Sequence, residues 1–218
     1  MRAAIWLACV CLLVAGCGGT VGGTATWPGA RLDKAALGAA DFPPGVRYDR
    51  IIENPGEPDG AGGPGSMLSR PQGCANALTD VIAGSAERGP GSAVKYAVSF
   101  DGARIVVTLL SSNLNLDKLR AAAERCARFE AFFDPGSEGI PITTAPLPGL
   151  SVDALAYQQT MTLRDTASSV YMAFQNVGSD AVFGLAFGTP DPSITVTATM
   201  PQTFLDVFSQ QVSRLRAS

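Results

Sequence analysis

An α+β fold is what this sequence predicts: an antiparallel sheet with helices packed mainly on one face, in a single domain. Three observations point to it. Val94, Tyr96, Val98 and Phe100 alternate with smaller or polar residues, as do Ile105, Val107 and Leu109. Between them stands Asp101-Gly102, a pair suited to a two-residue type I′ hairpin. Further alternating runs follow from Leu155 to Phe187. Stretches near Leu116–Phe133 and Thr203–Leu215 instead repeat at helical spacing. Strands joined by hairpins and interspersed with helices build an antiparallel sheet with a helical layer.

Taken in order, Leu32 to Leu37 reads as a short helix, followed by a loop at Asp41-Phe42-Pro43-Pro44-Gly45 and a strand from Val46 to Ile52. The stretch NPGEPDGAGGPGS, residues 54–66, is too rich in Gly and Pro for a helix or a central strand. It lacks the Lys-Ser/Thr of a phosphate-binding loop and reads as a surface loop. A helix is expected from Cys74 to Ala83, with Cys74, Leu78, Val81 and Ile82 on its apolar face and Gly84 as its stop. The longest helix is expected over Leu116–Phe133, capped by Asn115 and ended by Pro135. Leu119, Cys126 and Phe133 mark its inner face, and Asp117, Arg120, Glu124 and Arg128 its outer face.

The second half reads as a meander. Leu155, Tyr157, Met161 and Leu163 form one strand, Val170, Met172 and Phe174 the next, and Gly178-Ser179 turns into Ala181, Phe183, Leu185 and Phe187. Beyond Pro190-Asp191-Pro192, Ile194, Val196 and Ala198 alternate like another strand. The last helix carries Phe204, Phe208, Val212 and Leu215 on one face, while Arg214 and Arg216 complement its C-terminal dipole. No internal repeat is visible.

The amino terminus fixes the expected compartment. Met1-Arg2 precede 13 apolar residues, Ala3 to Ala15, in the size range of a signal-peptide core. That is shorter than the roughly 18 a bilayer span requires. Val14-Ala15-Gly16-Cys17 resembles the bacterial lipobox, cleaved just before the Cys, whose thiol then carries diacylglycerol. The expected organisation is therefore residues 1–16 as lipoprotein signal peptide, 17–31 as the lipidated Cys17 and a Gly/Thr-rich tether, and 32–218 as one extracytoplasmic domain. The tether would reach about 20 Å as a random coil.

Five cysteines sort on this basis. Cys9 and Cys11 leave with the signal peptide and Cys17 takes lipid. Cys74 and Cys126 remain as an even pair in an oxidising compartment and are expected to form one disulfide. The chain has 218 residues, 46% of them hydrophobic, and a net charge of −3. That suits one domain with a real core. Basic residues are scattered, so neither nucleic acid nor a polybasic membrane contact is expected.

Histidine is absent. No Ser-His-Asp or Cys-His catalysis can be built, nor a His-containing metal site. Ser92-Ala93-Val94-Lys95 matches S-x-x-K, but it lies in an alternating segment that points Ser92 and Lys95 to opposite faces, and no S-D-N or K-T-G accompanies it. Asp153, Asp165, Glu130 and Glu138 show no spacing that selects a glycosidase pair. No calcium loop is present. Gln159, on the apolar side of its strand, reads either as a hydrogen-bonded core amide or as the lining of a cavity. No enzyme and no cofactor is expected.

The signal "VAGC", with "ADFPPG", "PQGCANAL" and "ERCARFEAFF", resembles a mycobacterial lipoprotein family of unknown function. That family is similar to the extracellular sensor domain of a mycobacterial serine/threonine protein kinase. The resemblance spans roughly residues 32–216, carried by the Pro71–Ala75 helix start and the second Cys on the long helix. It implies an α+β fold with a cleft and ligand sensing rather than catalysis. The sensor domain has two disulfides, whereas the mature chain here has cysteines for one, and no binding residue matches a defined motif. The expected function is that of a lipid-anchored, non-catalytic ligand-binding or sensor-like module on the outer face of the plasma membrane. Its ligand would be a small molecule, a lipid or an envelope component. The alternatives are a carrier of a lipid or other apolar molecule and a scaffold lipoprotein.

Overall fold

A computed structural model describes residues 28–52, 67–85, 89 and 91–218. The proposed signal peptide, Cys17 and the 54–66 loop lie outside these residues.

Helix α1 spans Pro28–Ala35, four residues ahead of the Leu32 start read from the sequence. Proline suits a first helical position because its missing N–H would be unpaired there and its φ is already helical. Leu32 and Ala35 are buried, and Leu37 is buried just beyond the helix end. A short 3-10 turn, Ala39–Asp41, leads to strand β1, Arg47–Ile51. Strand β2, Leu68–Arg70, had no signature in the sequence.

Helix α2 is Ala77–Ser85 and does not begin at Cys74. The Ser69 hydroxyl accepts the N–H groups of Cys74 (2.8 Å) and Ala75 (3.2 Å), holding Cys74 in a turn ahead of the helix. Gly84 lies inside the last turn rather than after it. Strands β3, Ala93–Phe100, and β4, Ala103–Leu110, form the expected hairpin. Its turn is not type I′, because Gly102 takes φ +90° while Asp101 does not turn positive. Asp101 instead makes a parallel bridge with Thr197: its N–H donates to the Val196 carbonyl (2.9 Å) and its carbonyl accepts from Ala198 (2.8 Å). That bridge is all that forms of the strand expected at Ile194–Ala198.

Helix α3 is Leu116–Arg125, and the long-helix reading to Phe133 is wrong. Asn115 caps it as expected, its Oδ1 accepting the Lys118 N–H at 2.9 Å. The helix stops at Cys126, and Arg128–Phe132 is strand β5, with Phe129 and Ala131 turned inward at period two. Phe133, expected inside, is 73% exposed. Strand β6 is Ile140–Pro146, β7 Ala154–Leu163, β8 Thr166–Val177 and β9 Asp180–Phe187. Helix α4 is Gln202–Arg216. None of the described helices is long and apolar enough to cross a membrane.

The nine strands of the described residues form one antiparallel sheet in the order β1-β3-β4-β9-β8-β7-β6-β5-β2. Strand β9, the last in the chain, joins the β1-β3-β4 half to the meander through its pairing with β4.

The helices do not share a face. Ala156, Ala173, Gly184, Val107 and Tyr96 stand in one cross-strand row, and this side of the sheet packs with α1 and α4. Leu155, Phe174 and Phe183 form a neighbouring row on the opposite side, which packs with α2 and α3. The expectation of helices mainly on one face is therefore corrected to one pair on each. Sequence periodicity reports that a strand has an apolar side, and these central strands are apolar on both.

Polar contacts to β1, α4 and the β8–β9 turn region fix α1, the first of them between Arg50 and Asp33. Gln211 of α4, fully buried, accepts the Leu37 N–H (2.9 Å) and donates to the Ala35 carbonyl (2.8 Å). The Arg31 guanidinium also pairs through both terminal nitrogens with the buried Asp180 carboxylate in the β8–β9 turn region.

Candidate functional site

The two helix pairs leave parts of both sheet faces uncovered, and one of these is polar and open. On the side that carries α1 and α4, those helices pack over the β1-β3-β4-β9-β8 region. Beyond Ala156, the same face of β7, and that of β6, β5 and β2, contributes no residue to the core formed with α1 and α4. Strand register places Ser169 (β8), Thr160 (β7), Thr143 (β6) and Arg128 (β5) in one row across it. At the usual spacing between strands the row is about 14 Å long. Thr143 and Arg128 are exposed, whereas Thr160 and Ser169 are half-buried.

The inner two of these side chains are held in place by Gln158 and by each other. Gln158 Nε2 donates to Ser169 Oγ (2.9 Å) and Thr160 Oγ1 (3.4 Å), and the two hydroxyls are 3.2 Å apart. Each hydroxyl can both donate and accept, so the cluster is ordered yet keeps capacity toward a ligand. At the outer end, Arg70 pairs with Glu130 at 3.4 Å and lies 5.2 Å from the Phe132 ring centroid. Arg70, Arg128, Glu130 and Thr143 help line an open groove of about 490 Å³ at this edge. Tyr171 closes the inner end, its ring 6.4 Å from Phe204 of α4. The arrangement is a ledge: a polar floor made by the sheet, with a wall at α4.

A second groove, of about 570 Å³, lies between α2 and α3 and is lined in part by Asp80, Ser85, Asn113, Asn115 and Lys118. Its most directional groups are already engaged. Ser85 Oγ donates to the Val81 carbonyl (2.7 Å), and the Asn115 side chain caps α3. The ledge is the stronger candidate.

The residues singled out from the sequence are dispersed. Cys17 lies outside the described residues. Cys74 and Cys126 are bonded, with an S–S distance of 2.08 Å and Cα atoms 5.4 Å apart, and both are buried. The bridge ties the turn before α2 to the end of α3, not one helix interior to another. Arg125 donates to the Gln72 carbonyl (3.3 Å) beside it. Lys95 sits within β3, as the strand reading required. Asp153, Asp165, Glu130 and Glu138 are all exposed, and Glu130 is engaged by Arg70. Gln159 is a hydrogen-bonded amide, donating to the buried Thr144 hydroxyl at 3.1 Å. Among the described residues, no three His, Cys, Asp or Glu side chains converge as a metal site would need.

Sequence reasoning missed the ledge. Arg128 reads as a helical residue by its spacing, and prolines at 141 and 146 hide β6. The signal that could have found it was the polar half of β7, where Gln158 and Thr160 alternate with Tyr157 and Met161.

No family model matches this chain, and no curated protein matches it. Solved structures do. The extracellular domain of PknH from Mycobacterium tuberculosis is 12% identical, with a TM-score of 0.51 over 86% of this chain and 96% of that one. That likeness shows the fold. An uncharacterized protein from Mycobacterium smegmatis, an Rv0999 ortholog, is 15% identical over 87% of this chain and 95% of that one, with a TM-score of 0.48.

Proposed function

We propose that this chain is a lipid-anchored extracytoplasmic module that binds a ligand on the ledge and catalyses nothing. The observation that carries the reading is the row Ser169–Thr160–Thr143–Arg128: polar side chains facing outward from one sheet, the inner two ordered by hydrogen bonds with Gln158. Ligand groups placed on a regular element are held more firmly than groups on loops. The absence of histidine, the lipobox-like Val14-Ala15-Gly16-Cys17 and the fold shared with an extracellular domain support the same reading.

Two experiments test it. Cys17→Ala is expected to abolish acylation and move the protein out of the membrane fraction; unchanged retention refutes the anchor. For the ledge, native mass spectrometry compares the wild-type chain with Thr143→Trp after incubation with a cell-envelope extract. Position 143 is exposed, so the indole covers the row without entering the core. Adducts carried equally by both proteins refute the ledge as the site.

A further inference from the structure

We infer that the ligand class of the ledge is a linear polyhydroxylated chain, a glycan laid across the strands. This rests on the ledge being the binding site and deepens that reading. Successive side chains in the row are separated by one strand spacing, about 4.8 Å, which is close to the advance of one sugar along an extended glycan. Thr143 presents a hydroxyl one step from the Thr160–Ser169 pair, whose own hydroxyls stand 3.2 Å apart and are braced by Gln158. Hydroxyls match a ligand whose own groups both donate and accept, and sugar hydroxyls do both. Exposed cationic or strongly apolar floors suit other ligands. Here Arg70 is offset by Glu130, Arg128 has no ion-pair partner among the described residues, and the floor between Arg128 and Tyr171 is Thr, Ser, Gln and Ala. That chemistry disfavours a bilayer, which needs apolar insertion or a basic cluster. It also disfavours a protein partner, whose interface core is typically aromatic and apolar. Tyr171 stands beside Ser169 on the same face of β8, where a flat ring can meet a sugar face.

The row holds about three or four steps, so length dependence follows. Affinity for oligosaccharides is expected to rise from the disaccharide to the tetrasaccharide and then level off.

The test uses the full mature chain in detergent. It is titrated by calorimetry with β-1,4-linked glucose, xylose and N-acetylglucosamine oligomers of two to six units, and with oligogalacturonate as an acidic arm. At least one series is expected to bind with the plateau at four. Thr143→Val combined with Thr160→Val, which keeps shape and strand propensity but deletes two hydroxyls, is expected to weaken that series at least tenfold without shifting the melting temperature. Thr143→Val alone, at an exposed position, serves if the double variant melts early, with an expected loss of about threefold.

Sugar binding that ignores both variants overturns the assignment to the ledge. No binding by any series, while Thr143→Trp still abolishes the envelope adduct, overturns the glycan class and leaves the ledge standing. No sugar binding together with an adduct indifferent to Thr143→Trp overturns both.

Discussion

Gln211 offers the sharpest test of how the amino-terminal helix is held. Its amide is fully buried and pairs with two backbone groups at the end of α1, the Leu37 N–H and the Ala35 carbonyl. Replacing it with alanine strands both groups in a dry environment. An unsatisfied buried donor or acceptor costs about 1–3 kcal/mol, so Gln211→Ala is expected to lose about 2–6 kcal/mol. That is a large share of the 5–15 kcal/mol of a typical domain. Gln211→Glu separates polarity from shape. The carboxylate still accepts from Leu37 but faces the Ala35 carbonyl with a second acceptor, whereas the protonated acid can donate to it. Burial and that carbonyl both raise the folded-state pKa above the unfolded value of about 4.3. Stability relative to wild type is then fully present below about pH 4 and falls as pH rises through the folded value. Urea unfolding followed by circular dichroism between pH 4 and 8 measures both variants. A Gln211→Ala loss under 1 kcal/mol, or a Gln211→Glu difference from wild type that does not change with pH, refutes the clamp.

Three further outcomes are expected. Tyr96 is fully buried and its hydroxyl has no hydrogen-bond partner among the described residues, and burial pushes the phenol pKa up. Tyr96→Phe should therefore be neutral or stabilising by up to about 1 kcal/mol in the same unfolding assay, and a loss above 1 kcal/mol would reveal an unseen partner. The disulfide closes a loop of 52 positions, so Cys74→Ala with Cys126→Ala should lower stability by about 4 kcal/mol. Intact mass of the wild type should rise by two hydrogens on reduction, and two alkylatable thiols in the native protein contradict the bridge. Gly184 lies under α4, where an added Cβ would stand 2.9 Å from Phe208 and 3.0 Å from Phe204. Gly184→Ala should cost about 1–3 kcal/mol by forcing those rings aside, and a thermal melt within a degree of wild type would show that the helix gives way freely.

What the sequence disclosed depended on whether a local pattern determined its own structure. The β3–β4 hairpin and the meander strands carry period-two alternation that pairing merely fulfils, and α4 buries the four residues its spacing named. The long helix failed at Cys126 because Ala127, Arg128 and Phe129 fit a helix as well as a strand locally. Pairing of β5 with β6 and β2 decided the matter, and no window of residues contains that contact. The hairpin turn deviated for a similar reason: Asp101 is claimed by a bridge to Thr197, far along the chain. The ledge was illegible because it is a row across four strands. Its members are ordinary surface residues in their own strands and become a site only through register.

The place of β9 has a consequence for how the molecule is made. Strands β1, β3 and β4 can assemble early, and β5 to β8 can meander locally, but among the described strands it is the 180–187 segment that stitches the halves together. Until that seam closes, β4 offers an unpaired edge, and the chain must bridge more than seventy residues to cover it. Loop closure of that kind slows folding and prolongs the exposure of a sticky edge. A polypeptide exported unfolded would meet this hazard outside the cytosol, at the point where its last strand emerges.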